Sequence, residues 1–330
     1  MTLSSRPFGR TGRDVTAIGF GAWAIGGSWG DVSEADAKAT LHATLDSGVS
    51  FLDTADVYGD GRSERLIREV LAERGGPRPF VATKAGRRLS PHLAEGYTAA
   101  NLEAFIDRSR ANLGMETLDL VQLHCPPTSV YYSPQVFDAL DDLKARGKIA
   151  AYGVSVEKVE EALKAIEFPG VASVQIIYNI FRQRPAALFF PQAQVKGVAV
   201  IVRVPLASGM LTGKMTAAST FAPDDHRAFN RHGEAFDKGE TFSGVPYDVA
   251  LEAVEAIRPL VPQGATMAQF ALRWILMEQA VSTVIPGARR PDQALANAGA
   301  DALAPLPPAT MAALREIYDR MIAPHVHHLW

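Results

Sequence analysis

The sequence predicts an α/β fold: a (β/α)8 TIM barrel with an N-terminal hairpin plug and extra peripheral helices. Three observations predict it. Eight short β-branched runs recur along the 330 residues, longer segments with helical apolar spacing lie between them, and polar residues able to do chemistry stand at the ends of the runs.

The elements follow in order. Residues 6–16 place Gly9 and Thr11-Gly12-Arg13 between short β-prone pieces, which predicts a hairpin closing the bottom of the barrel. The eight strands are predicted at 17–20, 50–52, 80–83, 118–123, 151–154, 173–177, 199–204 and 282–285. Most are continuously apolar, as strands covered on both faces must be. Ser33 ahead of 37–45, Ser63 ahead of 64–74 and Thr98 ahead of 102–113 give helix starts, with Gly48, Gly75 and Gly114 as stops. A last amphipathic helix at 308–321 has no strand after it and is expected to pack outside the barrel. No 20 to 50 residue repeat, low-complexity tract or Pro/Ser linker divides the chain, so 1–330 is expected to be a single barrel domain. One stretch is irregular: 214–246, rich in Gly, Asp, Arg and Phe, is expected to be a lid, with Arg227 and Arg231 placed to clamp phosphate.

Composition narrows the function. A chain 47% hydrophobic and 21% charged is globular, and a formal net charge of -3 gives no long-range pull on nucleic acid or an anionic membrane. A small-molecule ligand is therefore expected. The single cysteine, Cys125, cannot form an internal disulfide, and residues 1–14 have no apolar core of the kind a secretory signal needs. The apolar stretch at 198–206 is broken by Arg203 and falls short of the ~18 residues that span a bilayer, so a cytoplasmic protein is expected. Nothing in the sequence fixes its oligomeric state.

Two phosphate-loop matches fail. Gly19-Phe20-Gly21-Ala22-Trp23-Ala24 fits G-x-G-x-x-A, but Gly26 and Gly27 follow where a helix should run, and 39–44 holds no carboxylate for a ribose. Gly209 to Lys214 is one residue short of a Walker A loop and lacks the following Ser or Thr. The tail spacing His325-x-His327-His328 has no Cys or carboxylate beside it, and no metal is expected.

The strand ends carry the chemistry. The second strand ends at Asp53, with Tyr58 in the loop after it; the third ends at Lys84, the fourth at His124, the fifth at Ser155, and the sixth carries Gln175 and Asn179. Taken singly, Asp53 reads as a cap, Lys84 as a surface residue, Tyr58 as a rim aromatic and His124 as a bonded core histidine. Together they would crowd charges into one apolar mouth, which is costly unless they pair and are used. Carbonyl reduction suits them. Tyr58 is expected to protonate the oxygen, Lys84 to lower the phenol's pKa, Asp53 to hold Lys84 charged, and His124 to polarise the carbonyl.

At this point the sequence resembles the aldo-keto reductase superfamily, from Gly19 to about Asn297. Phe51-Leu52-Asp53-Thr54-Ala55-Asp56-Val57-Tyr58-Gly59 with Ser63-Glu64 resembles the family's D-T-A-x-x-Y-G segment. Lys84 in Ala82-Thr83-Lys84-Ala85 and His124 in Leu120-Val121-Gln122-Leu123-His124 complete a tetrad with Asp53 and Tyr58. The resemblance implies NADPH/NADP+ laid across the barrel mouth. Ala22, Trp23 and Asp53 then lie beside the cofactor, Ser155 and Gln175 hold its carboxamide, and Tyr178 stacks on its ring. The segment Val204, Pro205, Leu206, Ala207, Ser208, Gly209, Leu211 and Lys214 wraps the pyrophosphate, and Gly287, Arg289, Gln293 and Asn297 form the adenosine end. Arg289 and Arg290 at a helix start suit the 2′-phosphate dianion, which favours NADP(H). Two departures stand out: Val156 replaces an asparagine common after the serine, and Ala296 a glutamate that often bonds adenine.

The implied function is hydride transfer from NADPH to an aldehyde or ketone, reversible with the alcohol, on a small carbonyl substrate. Trp23, Trp29, Tyr131, Tyr132, His325, His327, His328 and Trp330 are candidate pocket walls. The alternative is a non-catalytic cofactor-sensing module on the same scaffold, like the potassium-channel β subunits, which depart from histidine at the position of His124. A third reading, a metal-dependent isomerase or hydrolase barrel, predicts indifference to NADPH.

Overall fold

The computed structural model describes residues 3–26 and 32–330. Strands β1 (Ser5–Pro7) and β2 (Asp14–Thr16) pair antiparallel as the expected hairpin. The barrel strands are β3 (Phe20–Gly21), β4 (Phe51–Asp53), β5 (Phe80–Ala85), β6 (Leu120–His124), β7 (Tyr152–Ser155), β8 (Val171–Ile177), β9 (Ala199–Arg203) and β10 (Val281–Val284). They lie parallel in sequence order, and bridges from Ile18 to Val284 and from Gly21 to Gly287 close the barrel. A Cβ on Gly21 would meet the Ile285 carbonyl oxygen at 2.7 Å, so a residue without a side chain lets the seam close.

The hairpin plugs the barrel floor. Phe8 is fully buried, with its ring 5.3 Å from that of Phe51 and 5.0 Å from that of Phe80. These rings and Ala82, Leu120, Ala172 and Ile201 form an inner apolar layer beneath the polar strand ends. Burial of each Phe contributes roughly 1.5–3 kcal/mol.

Ser33 caps the helix Glu34–Asp46 by accepting from Asp36 N, and Thr98 caps Ala99–Leu113, which stops at left-handed Gly114. Ser63 is not a cap. The helix Arg62–Glu73 starts two residues before the predicted 64, after left-handed Gly61, because the Ser63 hydroxyl is turned inward between Thr54 and the Ala22 carbonyl. Gly75 is not the stop either, since Arg74 already leaves the helix in extended backbone. The helix expected at 308–321 runs Pro308–Ile317, passes through a π turn, Tyr318–Ile322, into the short helix Ala323–Val326, and packs against the helix Tyr247–Ile257 outside the barrel. Among the described residues, no helix is long and apolar enough to cross a membrane.

Candidate active site

The strand register levels the polar ends: Lys84 pairs with Gln122, His124 with Ser155, and Ser155 with Gln175. Lys84 Nζ donates to Asp53 Oδ1 at 2.5 Å, to the Thr54 carbonyl at 2.9 Å and to Tyr58 Oη at 3.3 Å. The other Asp53 oxygen accepts from Gln175 Nε2 at 2.7 Å and from Gln122 Nε2 at 3.2 Å. Tyr58 stands edge-on to His124, ring centroids 5.8 Å apart. The four predicted residues therefore converge. Gln122, to which the sequence analysis gave no role, is a second amide fixing Asp53.

Electrostatics refine the expected roles. Burial pushes the Tyr58 phenol up, and Lys84 only partly opposes it, so the net direction is upward rather than the lowering expected from Lys84 alone. At neutral pH Tyr58 thus keeps its proton, as a donor must. Burial works against the Lys84 charge, but Asp53 and then Tyr58 reverse that, and its pKa is raised. Burial, reinforced by Arg87, Lys84 and Arg203, holds His124 neutral, and its Nδ1 has no partner among the described residues.

The predicted cofactor residues divide. Ala22 and Ser155 are buried, Trp23 is half-buried, and Ser155 Oγ lies 2.9 Å from Cys125 Sγ. The 204–214 segment holds Val204, Ala207, Ser208 and Gly209 at positive φ, a strained run that persists because its surroundings fix it. Asn179 Nδ2 donates to the Val204 carbonyl, and Ser208 Oγ donates to the Glu240 carbonyl while accepting from Phe242 N. Pro205 and Leu211 are buried and Leu206 is half-buried, whereas Lys214 is exposed. At the far end, Gln293 accepts from Arg289 N and Asn297 donates to the Gly287 carbonyl, bracing the turn that presents Arg289.

Tyr178 is a correction. Alternation along β8 turns Gln175 inward and Tyr178 outward, and the Tyr178 ring is buried between Phe190 and Trp274, at 4.8 and 4.9 Å. The inward end of the next strand is Arg203. Its guanidinium donates to Glu157 at 2.7 Å and to the Val156 carbonyl at 3.0 Å, and it lies 3.6 Å from Glu240. Glu240 also accepts from Arg87 at 2.5 Å. Burial lifts the Glu157 carboxyl to about 8, against Arg203 and with Glu240 beside it. Burial opposes the charge on Glu240 as well, but Arg87 and Arg203 hold that carboxyl well below its usual range. Cys125, Glu157 and Glu240 lie close enough to suggest a cation site, but the two guanidiniums already occupy their carboxylates. Sequence reasoning missed this network, and the one available signal was Arg203 interrupting an apolar strand.

The 214–246 segment is packed in place. It carries the short helix His226–Phe229 and the turns Lys238–Glu240 and Phe242–Gly244, and brings His226 to 4.9 Å from the Trp23 ring. Of the arginines expected as a clamp, Arg227 pairs with Asp225 and has its guanidinium beside Gly209 of the 204–214 segment, and Arg231 lies over the Tyr247 ring at 4.5 Å. Of the candidate walls, Tyr131 is buried behind Ser155, and Tyr132 is at the surface. Trp330 covers Arg182 at 4.0 Å and donates to Asp237, beneath the segment rather than beside the tetrad. His327 bonds Tyr318, and Trp29 lies outside the described residues.

Asp56 yields a stability prediction. It is buried with neither oxygen bonded among the described residues, and burial, then Glu64, lifts its carboxyl from 3.8 to about 7 against Arg88 and Arg108. The folded state thus holds this proton more tightly than the unfolded state. The associated stability is full below pH about 4 and is lost as pH rises through about 7. Asp56→Asn cannot ionise, so its stability relative to wild type is expected to climb by up to about 4 kcal/mol between pH 4 and 8. Urea unfolding at both pH values checks this, and parallel curves would show that Asp56 is not held protonated.

The family model described as "Aldo/keto reductase family" matches residues 17–319. Similar proteins include the aldo-keto reductase YhdN of Bacillus subtilis, 30% identical over 288 residues, covering 86% of this chain and 84% of that one. A probable voltage-gated potassium channel subunit beta of Arabidopsis thaliana is 30% identical, covering 92% and 93%. Among solved structures, a glycerol dehydrogenase of Gluconobacter oxydans superposes with a TM-score of 0.77 at 28% identity, covering 99% and 97%.

Proposed function

The chain belongs to the aldo/keto reductase family, and from that premise we propose that it is an NADPH-dependent oxidoreductase that reduces the carbonyl of an aldehyde or ketone, and reoxidises the matching alcohol. The carrying observation is Lys84 Nζ bridging Asp53 and Tyr58 Oη while the Tyr58 ring stands against a neutral His124.

The donor set fits a nicotinamide cofactor: an orphaned histidine nitrogen at the mouth, a strained loop at 204–209, and Arg289 at the start of the helix Pro291–Ala298. When bound, NADPH supplies the hydride. The chain's own residues handle the proton and the oxygen. A neutral His124 donates an N–H to the substrate oxygen and sets its approach. Tyr58 passes its phenolic proton to that oxygen, and Lys84 stabilises the phenolate left on Oη. Asp53, fixed by Gln122 and Gln175, keeps Lys84 charged and aimed. We assign Ser155 to the carboxamide, Arg203 in place of Tyr178 to the ring side, the 204–214 segment to the pyrophosphate and Arg289 to the 2′-phosphate. A cytoplasmic setting, which keeps Cys125 reduced, goes with this reading.

NADPH oxidation against a panel of aldehydes, ketones and sugars tests the activity. Binding of NADPH with no turnover of any carbonyl would favour the cofactor-sensing alternative. Cofactor choice has its own test. Arg289→Ala is expected to weaken NADPH binding about ten- to a hundred-fold, the worth of a charge-assisted bond, while NADH binding barely changes. Equal losses for both cofactors would mean that Arg289 does not read the 2′-phosphate.

A further inference from the structure

We propose that Trp330 is a positioning residue for the cofactor: its indole, seated on Arg182, backs the 237–244 stretch that holds Ser208, and so governs how tightly and how long the 204–214 segment keeps the nucleotide. The inference rests on the reductase reading above, which gives that segment to the pyrophosphate.

The seat is built from both sides. Trp330 is buried, its ring lies 4.0 Å from the Arg182 guanidinium, and its Nε1 donates to Asp237 at 2.8 Å. A Cβ on Gly239 would meet the indole at 2.9 Å and one on Gly244 would meet it at 2.6 Å, so these two glycines leave the room that the ring fills. The short helix Ala323–Val326, packed against Phe242–Gly244, leads the chain there. Arg182 gives the reason for an aromatic at this place. It is buried, its Nη2 donates to the Gly239 carbonyl at 3.3 Å, and neither Nε nor Nη1 has a hydrogen-bond partner among the described residues. Burial pulls its pKa down from 12.5 to about 9, with Glu157 and Asp237 opposing. A ring face attracts a cation, and more strongly when both are out of water.

The stretch that Trp330 backs is the one that grips the 204–214 segment. Ser208 Oγ donates to the Glu240 carbonyl at 3.0 Å and accepts from Phe242 N at 3.1 Å. Asn179 Nδ2 adds a second tie, donating to the Val204 carbonyl and to Ser243 Oγ, each at 2.8 Å. Both stretches are strained where they meet: Val204, Ala207 and Ser208 on one, and Phe242 and Ser243 on the other, stand at positive φ. Such backbone persists only where its surroundings over-determine it. Without the indole behind it, 237–244 relaxes and Ser208 loses both of its partners. A ligand held by the 204–214 segment then leaves faster, since weakened contacts show mainly in the off-rate.

The test uses the full chain and follows NADPH fluorescence. Trp330→Ala is expected to speed NADPH dissociation, measured by stopped-flow displacement with excess NADP+, at least about ten-fold, and to raise its Kd by a similar factor. In the cofactor-free protein, amide hydrogen exchange should quicken at 206–211 and 237–244 while the barrel strands keep their protection. Trp330→Phe keeps a ring over Arg182 and gives up the bond to Asp237, so it should restore most of the lost residence time. Trp330→Leu keeps apolar bulk without a ring face and should not; it stands in if the alanine variant does not fold. A tryptophan that only adds packing energy would lower resistance to urea and leave release and local exchange in the folded protein unchanged. That result overturns the inference and leaves the reductase reading intact. If the wild-type protein binds no NADPH, the reading falls and the inference falls with it.

Discussion

Tyr58→Phe is expected to slow carbonyl reduction by about 10²- to 10⁴-fold, the range a positioned proton donor contributes, with NADPH binding changed less than a few-fold. The substitution deletes one hydroxyl from a partly exposed ring and leaves the Lys84 to Asp53 contact at 2.5 Å untouched. The fold should therefore survive and the defect should lie in the chemical step. Single-turnover kinetics with preformed enzyme and NADPH isolate that step from product release. Turnover within a few-fold of wild type would mean that another group donates the proton, and the roles given to Lys84 and Asp53 would fall with it.

Lys84→Met is expected to cost activity on a similar scale and stability as well. The Lys84 and Asp53 side chains are 1% and 3% exposed, so removing the cation leaves a buried carboxylate with only Gln122, Gln175 and no counter-charge in contact. Breaking a buried pair from one side costs about 3–5 kcal/mol. In Asp53→Asn/Lys84→Met the stranded charge is gone, so most of that stability should return while activity does not. Urea unfolding of the single and double variants separates the two effects. If Lys84→Met were as stable as wild type, the pair would not be desolvated as the structure has it. Because Lys84 acts through Tyr58, Tyr58→Phe/Lys84→Met should turn over no more slowly than the worse single variant by more than a few-fold.

The barrel and the tetrad were legible because each rests on local pattern. Apolar runs of three to six residues leading to Asp53, Lys84, His124 and Ser155 give the strands, and a parallel barrel brings the ends of successive strands to one face. The N-caps Ser33 and Thr98 are legible for the same reason: a cap bonds within three residues of itself. Ser63 has the same local signature, and its hydroxyl bonds across to Thr54 and Ala22, nine and 41 residues away, as no neighbouring residue could reveal.

Tertiary structure decided what depends on distant partners. The two-residue alternation of β8, phased only by its place in the barrel, turned Tyr178 to the helix side and left Arg203 at the mouth. Arg87, Glu157, Arg203 and Glu240 are separated by 30 residues or more, and only Arg203, set in an apolar strand, stands out in the sequence. Burying any one of them singly would be costly; barrel closure and the packed 214–246 segment bring them together, so that Glu240 supplies the counter-charge to the two guanidiniums and Glu157 accepts hydrogen bonds from both. The sequence by itself determined the fold and the four groups that converge at the strand ends, since both follow from spacing along single strands and the loop after one of them. What surrounds the tetrad was settled only by the folded chain, because it includes ionisable groups whose burial is tolerable only in one another's company.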